Sequence, residues 1–211
     1  MKSLSMKSCG VLVIGIGILS LSACSSVVSP PTLYGERHQV STSDSNRPEW
    51  IDNFRKFQKA HADRVYSVGV ATKERDYGFA RSIASADSMK NLARTIKSTV
   101  HDLYVEAKTE DKGAASAYTS DMERSIQDGT LQTAKGIISG AGVDKYYWTK
   151  YWVQEAPGGP VIYYRNVYAL VSLSKADFQQ AIYMTLNDQE KRVQNPAARH
   201  VIHEMKERWL H

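Results

Sequence analysis

Residues 77–96 read YGFARSIASADSMKNLARTI. Phe79, Ile83, Ala86, Met89 or Lys90, Ala93 and Ile96 recur at steps of three and four, while Arg81, Asp87, Asn91 and Arg94 fall mostly on other faces. That period predicts an amphipathic helix lying on a sheet, and its many alanines allow a close approach. Asp76 is placed to cap its start. Just before it, RVYSVGVA (64–71) alternates Val65, Ser67 and Gly69 with Tyr66, Val68 and Val70, the pattern of a strand that ends in the polar run Thr72–Asp76. Just after it, STVHDLYVEA (98–107) is rich in β-branched and aromatic residues. It predicts a second strand with Thr99, His101, Leu103, Val105 and Ala107 on one face.

Further along, Lys108–Gly113 is a charged break, and Tyr118, Met122 and Ile126 predict a helix over Ala114–Thr133. VDKYYWTKYWVQ and VIYYRNVYALVSL flank the turn residues Pro157-Gly158-Gly159-Pro160, a hairpin signal, with Val167, Ala169 and Val171 as its core face. Ser174-Lys175-Ala176-Asp177 resembles a capping box and opens a helix with Phe178, Ile182 and Leu186 inward, ending before Asn195-Pro196. A last helix, Ala197–Leu210, spaces Val201, Met205 and Trp209 by four. Upstream, Trp50 and Ile51 cap the core and Asp52–Ala62 forms a short helix. The β-α-β-α-β-β order, with C-terminal helices from about residue 174, predicts an α+β domain over 48–211. Its sheet is mainly antiparallel, with helices packed on one face.

The first 23 residues carry Lys2 and Lys7, no acid, and an apolar run from Val11 to Ala23. This is the layout of a secretory signal peptide, too short for the roughly 20 apolar residues that span a bilayer. Leu21-Ser22-Ala23-Cys24 resembles a bacterial lipobox. There the Cys24 thiol takes a diacylglycerol, and the small residues before it admit the signal peptidase. Removing residues 1–23 takes two of the 27 basic residues and none of the 22 acidic ones, so the formal charge falls from +5 to +3. That is no nucleic-acid footprint. The single remaining cysteine is used by lipidation, so no disulfide is expected. Several acyl chains on Cys24 anchor the chain to a membrane. Ser25, where inner-membrane lipoproteins carry aspartate, resembles the outer-membrane sorting pattern, with the domain on the periplasmic side. Residues 24–47, rich in Ser, Thr and Pro, read as the lipidated cysteine and a flexible tether, about 25 Å as a coil and about 80 Å stretched.

RPEW at 47–50, VYSVGVA at 65–71 and ARSIASADSMKNLARTI at 80–96 resemble the LPP-twenty family of small bacterial outer-membrane lipoproteins. The matching positions are Ala80-Arg81, Asp87, Leu92-Ala93 and Ile96, with Ser88 where the family usually has alanine. VYALVSLSKADF at 167–178 is similar to its closing strand and helix. The resemblance spans about Arg47–Asp177 and rests on packing motifs. It implies a lipid-anchored periplasmic domain with a helix on a sheet, in a family that includes members built into flagellum-associated disks. It supplies no catalytic residues.

His200 and His203, three apart with Glu204 beside them, share a helical face, but no third ligand can be named and the order is not that of the zinc peptidases. No metal or cofactor is expected. Gly136, Gly140 and Gly142 lack the strand-and-helix context of a nucleotide loop. No nucleophile elbow or acid–base set is visible, so the chain reads as non-catalytic. The dense aromatics of the hairpin are the remaining signal: Tyr147 and Tyr151 take one face, Tyr146, Trp148 and Trp152 the other. One face is explained by packing, and Tyr146, Trp148, Trp152 and Tyr164 form a candidate binding surface for a periplasmic protein, a sister subunit or glycan. The expected function is a structural or protein-interaction module of the envelope, with peptidoglycan binding or regulation of a wall synthase as the alternative.

Overall fold

A computed structural model describes residues 34–110, 130, 134, 138 and 141–210. The expected signal peptide, the lipobox-like Leu21–Cys24 and most of the helix expected over Ala114–Thr133 lie outside the described residues.

β2 (Arg64–Glu74) and β4 (Val161–Ser174) pair antiparallel, β4 pairs β3 (Val143–Gln154), and β3 pairs a short β1 (His38–Thr42), giving the order β1-β3-β4-β2. The described fold is α+β with a four-stranded antiparallel sheet, as expected. β1 corrects the reading of 24–47 as tether throughout, because 38–42 is part of the sheet. HQVST carries little apolar alternation, so only the non-local pairing with β3 and the stacking of His38 on Trp152, ring centroids 3.9 Å apart, disclose it.

The helix of residues 77–96 is there, and it does not stop. α3 runs from Tyr77 to Glu110, 34 residues and about 50 Å. The strand expected over 98–107 is therefore corrected to helix. No Gly or Pro interrupts the chain after Ile96, and Val100, Leu103, Tyr104 and Ala107 continue the buried stripe of Leu92 and Ile96 at helical spacing. Tertiary packing overrides the strand propensity of the β-branched residues. Asp76 Oδ1 accepts from the Phe79 amide at 2.6 Å and caps the start.

Of the expected inward face, Ala93 and Ile96 are buried and Ile83 and Met89 pack against the core, while Phe79 and Ala86 are corrected to exposed positions. Ala80, Ala84, Ser88 and Leu92 are fully buried instead. The reason stands on β2. A Cβ placed on Gly69 would lie 2.1 Å from the Ser88 nitrogen and 2.2 Å from the Ala84 oxygen, so the helix backbone rests directly on the strand. Only the smallest side chains fit between them, and the helix is rotated to put them there.

Val167, Ala169 and Val171 form the core face of β4, each fully buried under α3. At the far end of the sheet, Ser174 caps α4 (Lys175–Arg192), its hydroxyl accepting from the Asp177 amide at 3.0 Å. Phe178, Ile182 and Leu186 turn inward as expected. Asn195 accepts from the Ala197 amide at 2.9 Å and opens α5 (Pro196–Leu210), whose Val201, Ile202 and Met205 join α4 and the second half of α3 in one core. On the opposite face the expected helix of 52–62 is two short ones, α1 (Glu49–Asp52) and α2 (Phe54–Ala60). Asn53 breaks them and caps the second through Lys56 N. Trp50 is buried against Tyr66, Tyr147 and Leu170. At the hairpin tip, Gly158 takes φ +67° and Gly159 N donates to Ala156 O, the backbone that Gly makes inexpensive.

Gly69→Ala forces the α3 backbone off β2, since all three nearest atoms are main chain. We expect a loss of about 3 kcal/mol or more in urea unfolding. Gly142→Ala, with open space around its Cβ, serves as the control and changes little.

Candidate interaction surface

Two hydroxyls seal the contact between β2 and α3. Ser67 Oγ donates to Ser88 O and Ser88 Oγ donates to Ser67 O, both at 2.8 Å and both buried. Serine at 88 thus has a specific partner, which alanine would lack. Asp87 and Asn91, one turn apart, reach around the strand. Val70 N donates to Asp87 Oδ2 at 3.1 Å, and Asn91 Nδ2 donates to Val68 O at 3.0 Å. Both bonds fall on backbone groups of the sheet's outermost strand, which would otherwise offer a template for an incoming strand.

Below this line of bonds lies an open groove of about 490 Å³. Trp50, Ile51 and Phe54 of α1 and α2 form one wall. Tyr66, Val68 and Val70 of β2 form the floor with Tyr168, and Asp87, Asn91 and Thr95 the upper rim. Arg47 closes one end, its guanidinium 5.5 Å over the Tyr168 ring and 2.8 Å from Asp52. Burial holds the Tyr66 phenol above its ordinary value of 10.0, Asp63 adding to the effect and Arg64 opposing it, so Tyr66 is a neutral donor at neutral pH. The lining is aromatic and aliphatic, and Ser67, Asp87, Asn91 and Thr95 are engaged with the backbone. Such a groove takes apolar side chains of a partner.

The aromatic hairpin divides as the alternation predicts, and both faces are used. Tyr147 packs with Tyr66, Trp50 and Tyr168 beneath the sheet, and Tyr151 with Val153 and Tyr164. Of the candidate binding surface, Tyr164 is corrected to a buried position, its hydroxyl donating to Glu155 at 3.3 Å. Tyr146 lies half-buried under Arg81, 4.2 Å from its ring, and shares a 2.8 Å hydrogen bond with Ser85. Trp148 meets Tyr77 edge-on, and Trp152 stacks on His38. Tyr146, Trp148 and Trp152 share the face that carries α3, whereas the groove opens beneath the sheet. The structure does not bring these candidates together with Tyr164. The groove residues went unnoticed in the sequence because Trp50 and Tyr168 lie more than a hundred residues apart. The Pro48-Glu49-Trp50 opening was the one local signal.

His200 and His203 do not converge. His203 Nδ1 lies 3.3 Å from Glu190 Oε1 on α4, whereas His200 faces Glu204 at 4.0 Å. Among the described residues no three His, Cys, Asp or Glu side chains are grouped to hold a metal ion. Ser172 donates to Asp144 and accepts from Arg64 Nε at 2.9 Å, which ties β4 to β3 and β2 without an imidazole between hydroxyl and carboxylate. Among the described residues no helix is long and apolar enough to cross a membrane. No family model, curated protein or solved structure matches the chain.

The Lys206 amine is almost wholly buried, 2.6 Å from Glu190 Oε2 and 3.2 Å from Asn187 Oδ1. The Lys206 hydrogen bond and charge, with His203 adding to them, hold the Glu190 carboxyl below its ordinary value of 4.5 against the effect of burial. A carboxyl lowered in the folded state contributes stability above the unfolded value, and loses it as pH falls through 4.5 toward the folded value. Glu190→Gln should therefore cost about 2 kcal/mol at neutral pH, and flatten the acid side of the stability profile below that point. Urea titrations at a series of pH values read both effects.

Proposed function

We propose that the chain is a lipid-anchored lipoprotein of the outer membrane, held through acyl chains on Cys24, whose periplasmic domain is a non-catalytic interaction and assembly module. The observation that carries the interaction reading is the groove beside β2. Asp87 and Asn91 of its rim are spent on holding α3 to the strand, while Val68, Val70 and Tyr168 of its floor stay open to a partner's side chains. The Leu21–Cys24 lipobox and Ser25 support the anchor and its membrane. The resemblance of Arg47–Asp177 to the LPP-twenty lipoproteins supports assembly with further copies or a periplasmic protein, in its most specific form as part of a ring around a flagellum.

A photoreactive amino acid at Phe54 or Val70, on the groove's wall and floor, reads the partner in cells. The expected outcome is a crosslinked band of higher mass that Val70→Asp removes while the unfolding midpoint stays the same. Light scattering on the purified domain accompanies it, and a strict monomer without crosslinks sinks the proposal. A deletion strain with normal motility and intact basal structures removes the ring version alone.

A further inference from the structure

Nine large apolar side chains stand exposed among the described residues, and they are not evenly spread. Tyr34, Val40, Val161 and Tyr163, between 46% and 54% exposed, lie along the outer part of the β3–β4 hairpin and the β1 segment paired to it. Cations stand among them. Lys150 and Arg165 face each other directly across β3 and β4, a like-charge pair that is unfavourable by itself and that has Glu74 alone opposite Arg165 on β2, without an ion-pair contact within 4.0 Å. The Lys150 amine lies 4.8 Å over the Tyr163 ring, and Arg165 Nη1 donates to Arg75 O at 3.0 Å. Arg37 lies 5.2 Å over Tyr151 and Arg75 5.7 Å over Tyr164.

Four carboxylates share this end. Asp76 is taken by the Phe79 amide, and Glu155 by Lys73 and the Tyr164 hydroxyl. That leaves Glu36 and Glu74 against Arg37, Arg75, Lys150 and Arg165, and among the described residues none of these six makes an ion pair within 4.0 Å. Tyrosine and other apolar groups interleaved with cations are the composition that sits at a lipid–water boundary, rings in the headgroup layer and charges on the phosphates.

The position of the chain's exit argues for the same occupant. Gly35 N donates to Gln154 O at 3.0 Å, which fixes residue 35 at the hairpin tip. Nine residues lie between Cys24 and Tyr34, at most about 35 Å of chain and about 17 Å as a coil. An acylated Cys24 therefore holds this end of the sheet, rather than the α4–α5 end, beside the membrane.

We infer that the hairpin tip docks on an anionic lipid headgroup layer, with Lys150, Arg165 and Arg75 on phosphates and Tyr163, Tyr34 and Val161 in the boundary. This rests on the lipid-anchor reading. The tip then fixes the orientation of the domain on the membrane, so that the groove and the α4–α5 end are presented at set heights above it.

The acylated chain, reconstituted into vesicles of phosphatidylethanolamine and phosphatidylglycerol with brominated acyl chains, separates the two claims. Flotation reads the anchor, and quenching of Trp152 fluorescence, identified by its loss in Trp152→Phe, reads docking. We expect Trp152 to be quenched. The ratio of docked to lifted protein should fall about fivefold for each of Lys150→Glu and Arg165→Glu, and fall likewise in about 0.5 M salt. The milder Lys150→Gln and Arg165→Gln pair, with unchanged circular dichroism, guards against misfolding. A chain that does not float overturns the anchor reading and this one with it. A chain that floats with Trp152 unquenched overturns this one alone, as does quenching that is equal in phosphatidylcholine vesicles and indifferent to both charge reversals. Crosslinking of Tyr163 to a second copy, or retention on sacculi, without quenching gives the surface to those partners instead.

Discussion

The contact of α3 with β2 at Gly69 governs the rest of the molecule. A helix ordinarily stands off a sheet by the thickness of two layers of side chains. Here one of the layers is missing, because Gly69 has none and Ala84 and Ser88 have the least. Two main chains brought this close need their polar groups satisfied locally, and the Ser67–Ser88 exchange does so from inside the contact. Position and rotation of α3 follow from it. Because the first half of the helix is pinned along β2, its second half must leave the sheet, and α4 and α5 supply the surface that buries it.

The same contact decides what the sheet offers to other molecules. Both edges of a four-stranded sheet are exposed to strand addition, and this protein guards them differently. On β2 the guard is chemical, since Asp87 and Asn91 occupy an amide and a carbonyl that point outward. On β1 it is geometric, since the strand has five residues and its pairing shifts register between Gln39 and Ser41. Strand addition is thus disfavoured on both sides. Recognition falls to side chains, which is why the aromatic groove beside β2, rather than its backbone, is the surface to weigh.

How much of this was legible depended on whether the determining partner was near in sequence. Val167, Ala169 and Val171, the Ser174 cap, the glycine turn and the inward face of α4 are local patterns, and the structure has them as read. The end of α3 was not legible. Residues 98–107 alternate well enough for a strand, and packing in one core with residues distant in sequence, those of α4 and α5 among them, decides for helix. The inward face at Ala93 and Ile96 was legible, while that of the first turns of α3 was not, for a related reason. Periodicity ranks residues by hydrophobicity, while the close approach at Gly69 selects them by size, so Ala80 and Ser88 win over Phe79 and Ile83. Trp50 was read correctly as core, yet its partners Tyr147 and Tyr168 and the groove they border exist only after the sheet has formed.

These elements give the domain two unlike ends. The hairpin tip carries exposed tyrosines and cations, and Gly35 N is hydrogen-bonded to Gln154 O beside it. The α4–α5 end has its one buried amine, Lys206, matched by Glu190, and its apolar stripe turned into the core of α3. A helix of about 50 Å joins them rigidly. A globular module free on a tether has no need of such polarity, since every orientation is sampled. On the proposed attachment at Cys24, a module held by one end gains a defined orientation for everything built on it, and β1 extends the sheet with residues that precede Trp50. Under that proposal the recruitment of residues 38–42 into the sheet and the charged, aromatic tip next to them answer to one constraint: the distance and direction of the groove relative to the proposed point of attachment.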